Sequence, residues 1–195
     1  AEGDCGACTV VVADVTPDGG LRYSALDSCL LFLPMLHGKS LITVESLSPA
    51  GTPLHPVQEA MVETDGSQCG YCTPGFVMAM FALYKQTDRP SRADIDDALT
   101  GNLCRCTGYR PIVEAAAKAC VHAGRDRFTE GEAEVVRTLR SIPNRSIDIS
   151  SGARHYRRPV SLPEAISLKH QFPGLLVIAG ATDVDAQHLR RKPGL

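Results

Sequence analysis

The chain has 195 residues with 20 basic and 22 acidic side chains, enough length for one good domain or two small ones. The near-balanced charge leaves no basic excess for a nucleic-acid partner, and no apolar run reaches the ~18 residues of a membrane span. The opening AEGDCGACTV has neither the basic start nor the apolar core of an export signal.

Residues 9–47 read as strands. TVVVADV is β-branched, PDGG carries an Asp-Gly turn step and LRYSAL alternates, so a hairpin is expected, with a further short strand in LITVESL. From 53 to 122 the period becomes helical. Pro56, Val57, Ala60 and Met61 mark a short helix. TPGFVMAMFALYKQ is apolar almost all round, which predicts a buried helix with Pro74 in its first turn. Ser91 caps RADIDDALTG, with Asp94 three residues on, and Gly101 stops it. Pro111 opens IVEAAAKACVHA and Gly124 ends it. These four helices are joined in pairs by loops that each carry two cysteines, which implies a bundle organised around one point.

Residues 123–155 are mixed and polar. One helix near 131–141 is expected there, and the rest reads as a linker. From Arg157 a new pattern starts: SLPEAISLKHQF is helical, LLVIAG is a candidate strand and ATD a turn. A lone helix and strand cannot bury a core, so this part reads as the opening of a further domain.

Cysteines stand at 5, 8, 29, 69, 72, 104, 106 and 120, and six of the eight fall in C-x-x-C or C-x-C pairs. Paired thiols without an export signal converge on metal more readily than they form disulfides, in keeping with a reducing, cytoplasmic setting. Cys69 and Cys72 are followed after 31 residues by Cys104 and Cys106. Four such sulfurs suit a tetrahedral zinc or a [2Fe–2S] cluster. The C-x-C step favours the cluster, whose irons each take two thiolates, and Gly70, Gly101 and Gly108 would let backbone N–H groups approach the sulfides. Cys5 and Cys8, with Cys29 after 20 residues, match the last three ligands of the C-x4-C-x2-C…C pattern of plant-type ferredoxins. The first ligand of that pattern would fall immediately before Ala1, so the chain reads as cut inside a motif.

AEGDCGACTV, SQCGYCTPGFVMAM, LTGNLCRCTGYRPI and VIAGATDV, in that order, resemble the xanthine dehydrogenase branch of the molybdenum hydroxylases over essentially the whole chain. The resemblance implies an α+β protein: a β-grasp ferredoxin-like [2Fe–2S] domain over 1–50, a four-helix [2Fe–2S] domain over 51–124, a linker over 125–155, and the start of an α/β FAD-binding domain over 156–195. It assigns Cys5, Cys8 and Cys29 to a first cluster short of one ligand here, and Cys69, Cys72, Cys104 and Cys106 to a second, nearer the molybdenum cofactor. Gln68 matches a glutamine that contacts the pterin of that cofactor, while Cys120 matches no ligand and reads as a small buried residue.

The same resemblance gives Val177, Ile178, Ala179, Gly180, Ala181, Thr182, Asp183 and Val184 to the FAD pyrophosphate loop, with Gly180 allowing close backbone approach. Alone, that segment would fit any α/β protein. Asp185 stands where relatives usually carry glycine, which weakens the expected flavin site. The implied function is electron transfer from a molybdenum cofactor on a partner domain or chain, where a purine is hydroxylated, through two clusters to FAD and then NAD, within a hetero-oligomer. An aldehyde or carbon monoxide oxidising relative and a zinc-stabilised interaction module without redox function are the alternatives. The six histidines show no ligand spacing and read as solvated or capping residues; Asp94, Asp96 and Asp97 suit a first helical turn; LRRKPG reads as a solvated face. No catalytic nucleophile set is present.

Overall fold

A computed structural model describes residues 2–122, 126–152, 154–182 and 184. The β-branched run forms β1 (Thr9–Val15), which pairs antiparallel with β2 (Leu21–Asp27) from Thr9 opposite Asp27 to Val15 opposite Leu21. The turn closes where Thr16 N–H donates to the Gly20 carbonyl at 2.9 Å. β3 (Ser40–Ile42) covers the other edge of β1, giving the order β2-β1-β3. Val44–Ser46, expected to continue that strand, is instead a 3-10 turn.

Four helices follow: α1 (Pro56–Glu63), α2 (Thr73–Tyr84), α3 (Arg92–Leu99) and α4 (Arg110–Ala119). α2 is buried at every position from Gly75 to Tyr84, as its unbroken apolar sequence requires. Phe76, Met78, Met80 and Phe81 are fully buried, each side chain contributing about 1.5–3 kcal/mol relative to exposure. Ser91 and Asp94 form a reciprocal capping box at α3: Asp94 N–H donates to Ser91 Oγ at 3.2 Å, and Ser91 N–H to Asp94 Oδ2 at 2.7 Å.

Sheet and helices share one core. Val11 and Ala13 of β1, Tyr23 of β2 and Ile42 of β3 belong to the same buried cluster as the α2 side chains. Tyr23 meets Phe81 edge-on, with ring centroids 6.0 Å apart, and Gln86 Nε2 donates to the Tyr23 carbonyl at 3.0 Å. A common core fixes the two modules against each other, because packed interiors yield little.

Beyond α4 lie α5 (Arg127–Glu130), α6 (Glu132–Ser141), a hairpin of β4 (Ile147–Ser151) with β5 (Arg154–Arg158), and α7 (Leu162–Gln171). The region read as a linker therefore holds α5 as well as the expected α6, and the strand β4. The strand expected in LLVIAG does not form; residues 175–181 run without regular structure, with Leu176 70% and Val177 78% exposed. A strand needs a neighbour for its ladder hydrogen bonds, and among the described residues none pairs with this segment. Among the described residues no helix is long and apolar enough to cross a membrane.

Candidate metal centre

The two loops flanking the helix pairs bring Cys69, Cys72, Cys104 and Cys106 together. The thiols meet in twos, Cys69 with Cys106 and Cys72 with Cys104. Among the described residues no three His, Cys, Asp or Glu side chains converge on a single point. Two adjacent pairs suit a two-iron rhomb, in which each iron takes two thiolates. The pairs also differ in depth: Cys104 is buried and Cys72 half-buried, whereas Cys69 and Cys106 are exposed.

Local chemistry separates the thiols further. Burial pushes Cys72 up to about 11, helped by its contact with Cys104. Burial also opposes ionisation of Cys104, but the Thr107 hydroxyl and N–H, the Cys106 N–H and the Cys72 thiol outweigh it and hold Cys104 at about 7. The Thr107 hydroxyl lies 3.2 Å from Cys104 Sγ. At Cys69 the Tyr71 N–H and the Cys106 thiol favour the thiolate. Donors aimed at sulfur are what a thiolate-ligated cluster needs. Gly70 and Gly108 have φ of +83° and +68°, with nothing within 4 Å of where a Cβ would stand. A side chain there would meet no neighbour, so it is the left-handed backbone of these two turns that favours glycine.

Tyr109 is an organising residue that sequence patterning did not single out. Its backbone is left-handed, with φ +67°, a conformation costing roughly 1–2 kcal/mol for a residue with a Cβ. Its hydroxyl accepts from Cys104 N–H at 3.1 Å and its ring meets Phe76 edge-on at 6.2 Å. The turn thereby folds back over its own cysteine.

Cys5, Cys8 and Cys29 line a separate cavity of about 440 Å³, which Tyr71 also borders. Gly3 N–H donates to Cys29 Sγ at 3.3 Å. Burial, followed by the contact with Cys8, raises the Cys29 thiol. The three expected thiols therefore share one site. Tyr71, two residues after Cys69, places the second loop against the first site.

Gln68 is exposed beside Cys69. Cys120 is 1% exposed within the core and its thiol is pushed up to about 11 by burial and by Asp88, matching its expected packing role. In the expected flavin loop, Gly180 and Thr182 border a cavity of about 520 Å³ whose other wall includes Asp27, Leu30 and Met35. The left-handed residue there is Ala181, φ +66°, not Gly180. Asp183, Asp185 and the LRRKPG stretch lie outside the described residues. His55, expected to be capping or solvated, does cap α1, but it is buried against Asp126.

The model of a [2Fe–2S] binding domain matches residues 43–117, the stretch that carries Cys69, Cys72, Cys104 and Cys106. The solved quinoline 2-oxidoreductase from Pseudomonas putida 86 is 30% identical, with a TM-score of 0.52, over 73% of this chain and 74% of that one. The chain belongs to the molybdenum hydroxylase family. Xanthine dehydrogenase of Drosophila pseudoobscura pseudoobscura is 50% identical over 117 residues, 58% of this chain and 9% of that protein. Aldehyde oxidase 1 of Rattus norvegicus is 32% identical over 225 residues, 93% of this chain and 17% of that protein. The chain therefore spans a small part of such relatives, and corresponds to the iron–sulfur electron-transfer portion of these hydroxylases. Its α+β architecture, with a small ferredoxin-like sheet followed by a four-helix [2Fe–2S] domain, is that of the family.

Proposed function

We propose that this chain relays electrons from a molybdenum cofactor, held on a partner domain or chain, through two [2Fe–2S] clusters to FAD and on to NAD, in a xanthine dehydrogenase-like oxidoreductase. The observation that supports this reading is that Cys5, Cys8 and Cys29 line one cavity and Cys69, Cys72, Cys104 and Cys106 meet in pairs, on loops that share one core. A [2Fe–2S] cluster supplies one-electron transfer without proton chemistry. The chain's own part is to hold the sites at a fixed separation and keep water away. Cys69, Cys72, Cys104 and Cys106 would hold one cluster; Cys5, Cys8 and Cys29 would hold the other with one further ligand.

The carbonyl of Cys5 accepts the N–H of Leu103 at 3.0 Å, and Leu103 is bonded to Cys104, so a short run of covalent and hydrogen bonds joins the two sets of thiols. Exposed Cys69 and Cys106, with exposed Gln68 and apolar Tyr71 and Leu103 around them, form the face that would meet the molybdenum partner in a cytoplasmic hetero-oligomer. Residues 177–184 would contribute to the flavin site, beside the first thiol set. The corresponding division is a ferredoxin-type domain over 1–50, a helical domain over 51–124, a connecting segment over 125–155 and the flavin-domain opening from 156. Substrate choice, purine or aldehyde, would belong to the molybdenum partner.

Anaerobic reconstitution with iron and sulfide, followed by dithionite reduction and electron paramagnetic resonance, tests this reading. Paramagnetic signals of reduced two-iron clusters are expected, and the signal of the helical site should be lost selectively in Cys104→Ser. A protein that stays colourless and silent would leave only a structural metal module.

A further inference from the structure

Asn102 belongs to neither thiol set, yet it is 6% exposed and stands between them. Its Nδ2 donates to the Gly6 carbonyl at 2.9 Å and to Thr9 Oγ1 at 3.0 Å. The Thr9 hydroxyl in turn donates to the same Gly6 carbonyl at 2.6 Å, which also accepts Thr9 N–H at 3.0 Å. One residue on, Leu103 N–H holds the Cys5 carbonyl at 3.0 Å. Both carbonyls of the Cys5–Gly6 step are therefore gripped by the two residues that lead into Cys104.

The grip has no slack. Gly6 sits at φ +65°, and a Cβ there would stand 2.2 Å from the Gly101 carbonyl and 2.4 Å from Asn102 Nδ2. From the other side, a Cβ on Gly75 of α2 would stand 2.1 Å from the Gly6 carbonyl oxygen. The Gly6 peptide thus occupies a slot between α2 and the loop ending in Cys104, with the Asn102 amide as its latch.

We propose that Asn102 is a positioning residue that couples the two thiol sites, so that ordering Cys104 by filling the helical site also orders the Cys5–Cys8 loop. The latch is a property of the described backbone and side chains; only the identity of what fills the sites rests on the iron–sulfur reading. Coupling of this kind is reciprocal, each filled site favouring the other. Removing the amide leaves the buried Gly6 carbonyl and Thr9 hydroxyl without that donor.

Hydrogen–deuterium exchange read by mass spectrometry tests the latch, with residues 2–10 and 101–106 as reporters and 76–84 of α2 as control. In the metal-free chain, Asn102→Ala should speed exchange at Thr9 and Leu103 by about 10- to 100-fold, with 76–84 unchanged. Asn102→Asp, which turns an acceptor toward the Gly6 carbonyl, should do the same, whereas Thr9→Ser keeps the hydroxyl and should match the wild type. Iron and sulfide are then added anaerobically to a chain carrying Cys29→Ser, so that only the helical site can fill. Filling should slow exchange in 2–10 when Asn102 is present, and should leave 2–10 unaffected in the Asn102→Ala chain although iron and sulfide still bind. Unchanged exchange in 2–10 in both Asn102 variants, or acceleration spread equally over 76–84, would overturn the proposal. Equal slowing of 2–10 on filling with and without the Asn102 amide would overturn the coupling as well. Failure to take up iron and sulfide would count against the iron–sulfur reading, with the metal-free comparison still deciding whether Asn102 ties the two loops together.

Discussion

Replacing Asp126 with Asn should remove a large part of the fold's stability without touching any thiol. Asp126 accepts His55 Nε2 at 3.1 Å on Oδ2, and Lys85 Nζ at 3.0 Å, Thr129 N–H at 2.7 Å and the Thr129 hydroxyl at 2.8 Å on Oδ1. The side chains of His55, Lys85 and Asp126 are 3%, 5% and 3% exposed. The network ties the start of α1, the end of α2 and the start of α5 to one carboxylate. Asp126→Asn keeps the shape but leaves the Lys85 ammonium buried without its counter-charge, a loss of about 3–5 kcal/mol against a typical total of about 5–15 kcal/mol. Urea unfolding followed by circular dichroism should show the midpoint falling by at least about 1 M.

Pairing Lys85→Met with Asp126→Asn should recover part of that loss, because no ammonium is then left buried without a counter-charge while the asparagine oxygen can still accept from Thr129. The pH response has a definite sign. Burial opposes the Asp126 carboxylate, but His55, Thr129 and Lys85 outweigh it and hold its folded pKa well below the usual range. Its stabilisation is therefore fully present above the unfolded value of about 3.9 and is lost as pH falls toward the folded one. The acid-side decline should be shallower in Asp126→Asn. A stability loss below about 1 kcal/mol in that variant would refute a buried ion network of this strength.

Gly6→Ala combines a left-handed backbone with a Cβ placed 2.2 Å from the Gly101 carbonyl, and should cost about 2–5 kcal/mol in urea unfolding; a loss under about 1 kcal/mol would show that the slot can open. Cys106→Ser should abolish stable iron binding at the helical site, while Cys120→Ala should leave iron content unchanged and lower the thermal midpoint only through lost packing, as metal analysis and calorimetry would show. Ser91→Ala should lose about 1 kcal/mol of stability by removing the α3 cap, with cluster absorbance unaltered.

Elements governed by short-range pattern were legible in the sequence. The β-branched run and Asp-Gly step gave the hairpin, the unbroken apolar stretch gave buried α2, and Ser91 with Asp94 gave the α3 cap. The close cysteine pairs were equally visible, because C-x-C and C-x-x-C spacings are local, whereas Cys29 stands in no such pair and only the fold brings it to the cavity of Cys5 and Cys8. What escaped depends on contacts between distant positions. His55 and Asp126 lie 71 residues apart and Asn102 and Gly6 lie 96 apart, and no periodicity marks either pair. Tyr109 resembles any aromatic before a helix until its positive φ and its hydroxyl contact with Cys104 are seen. The LLVIAG stretch misled for the complementary reason: β propensity reflects fit to a neighbouring strand, and among the described residues no strand pairs with it.

The most direct test of the central claim is the content of iron, acid-labile sulfide and zinc in protein purified without oxygen. Iron and sulfide in equal amounts, about two of each per chain with the helical site filled or about four with both, is the predicted result. Zinc near one per chain without sulfide would contradict electron transfer and leave the paired thiols as a structural metal site.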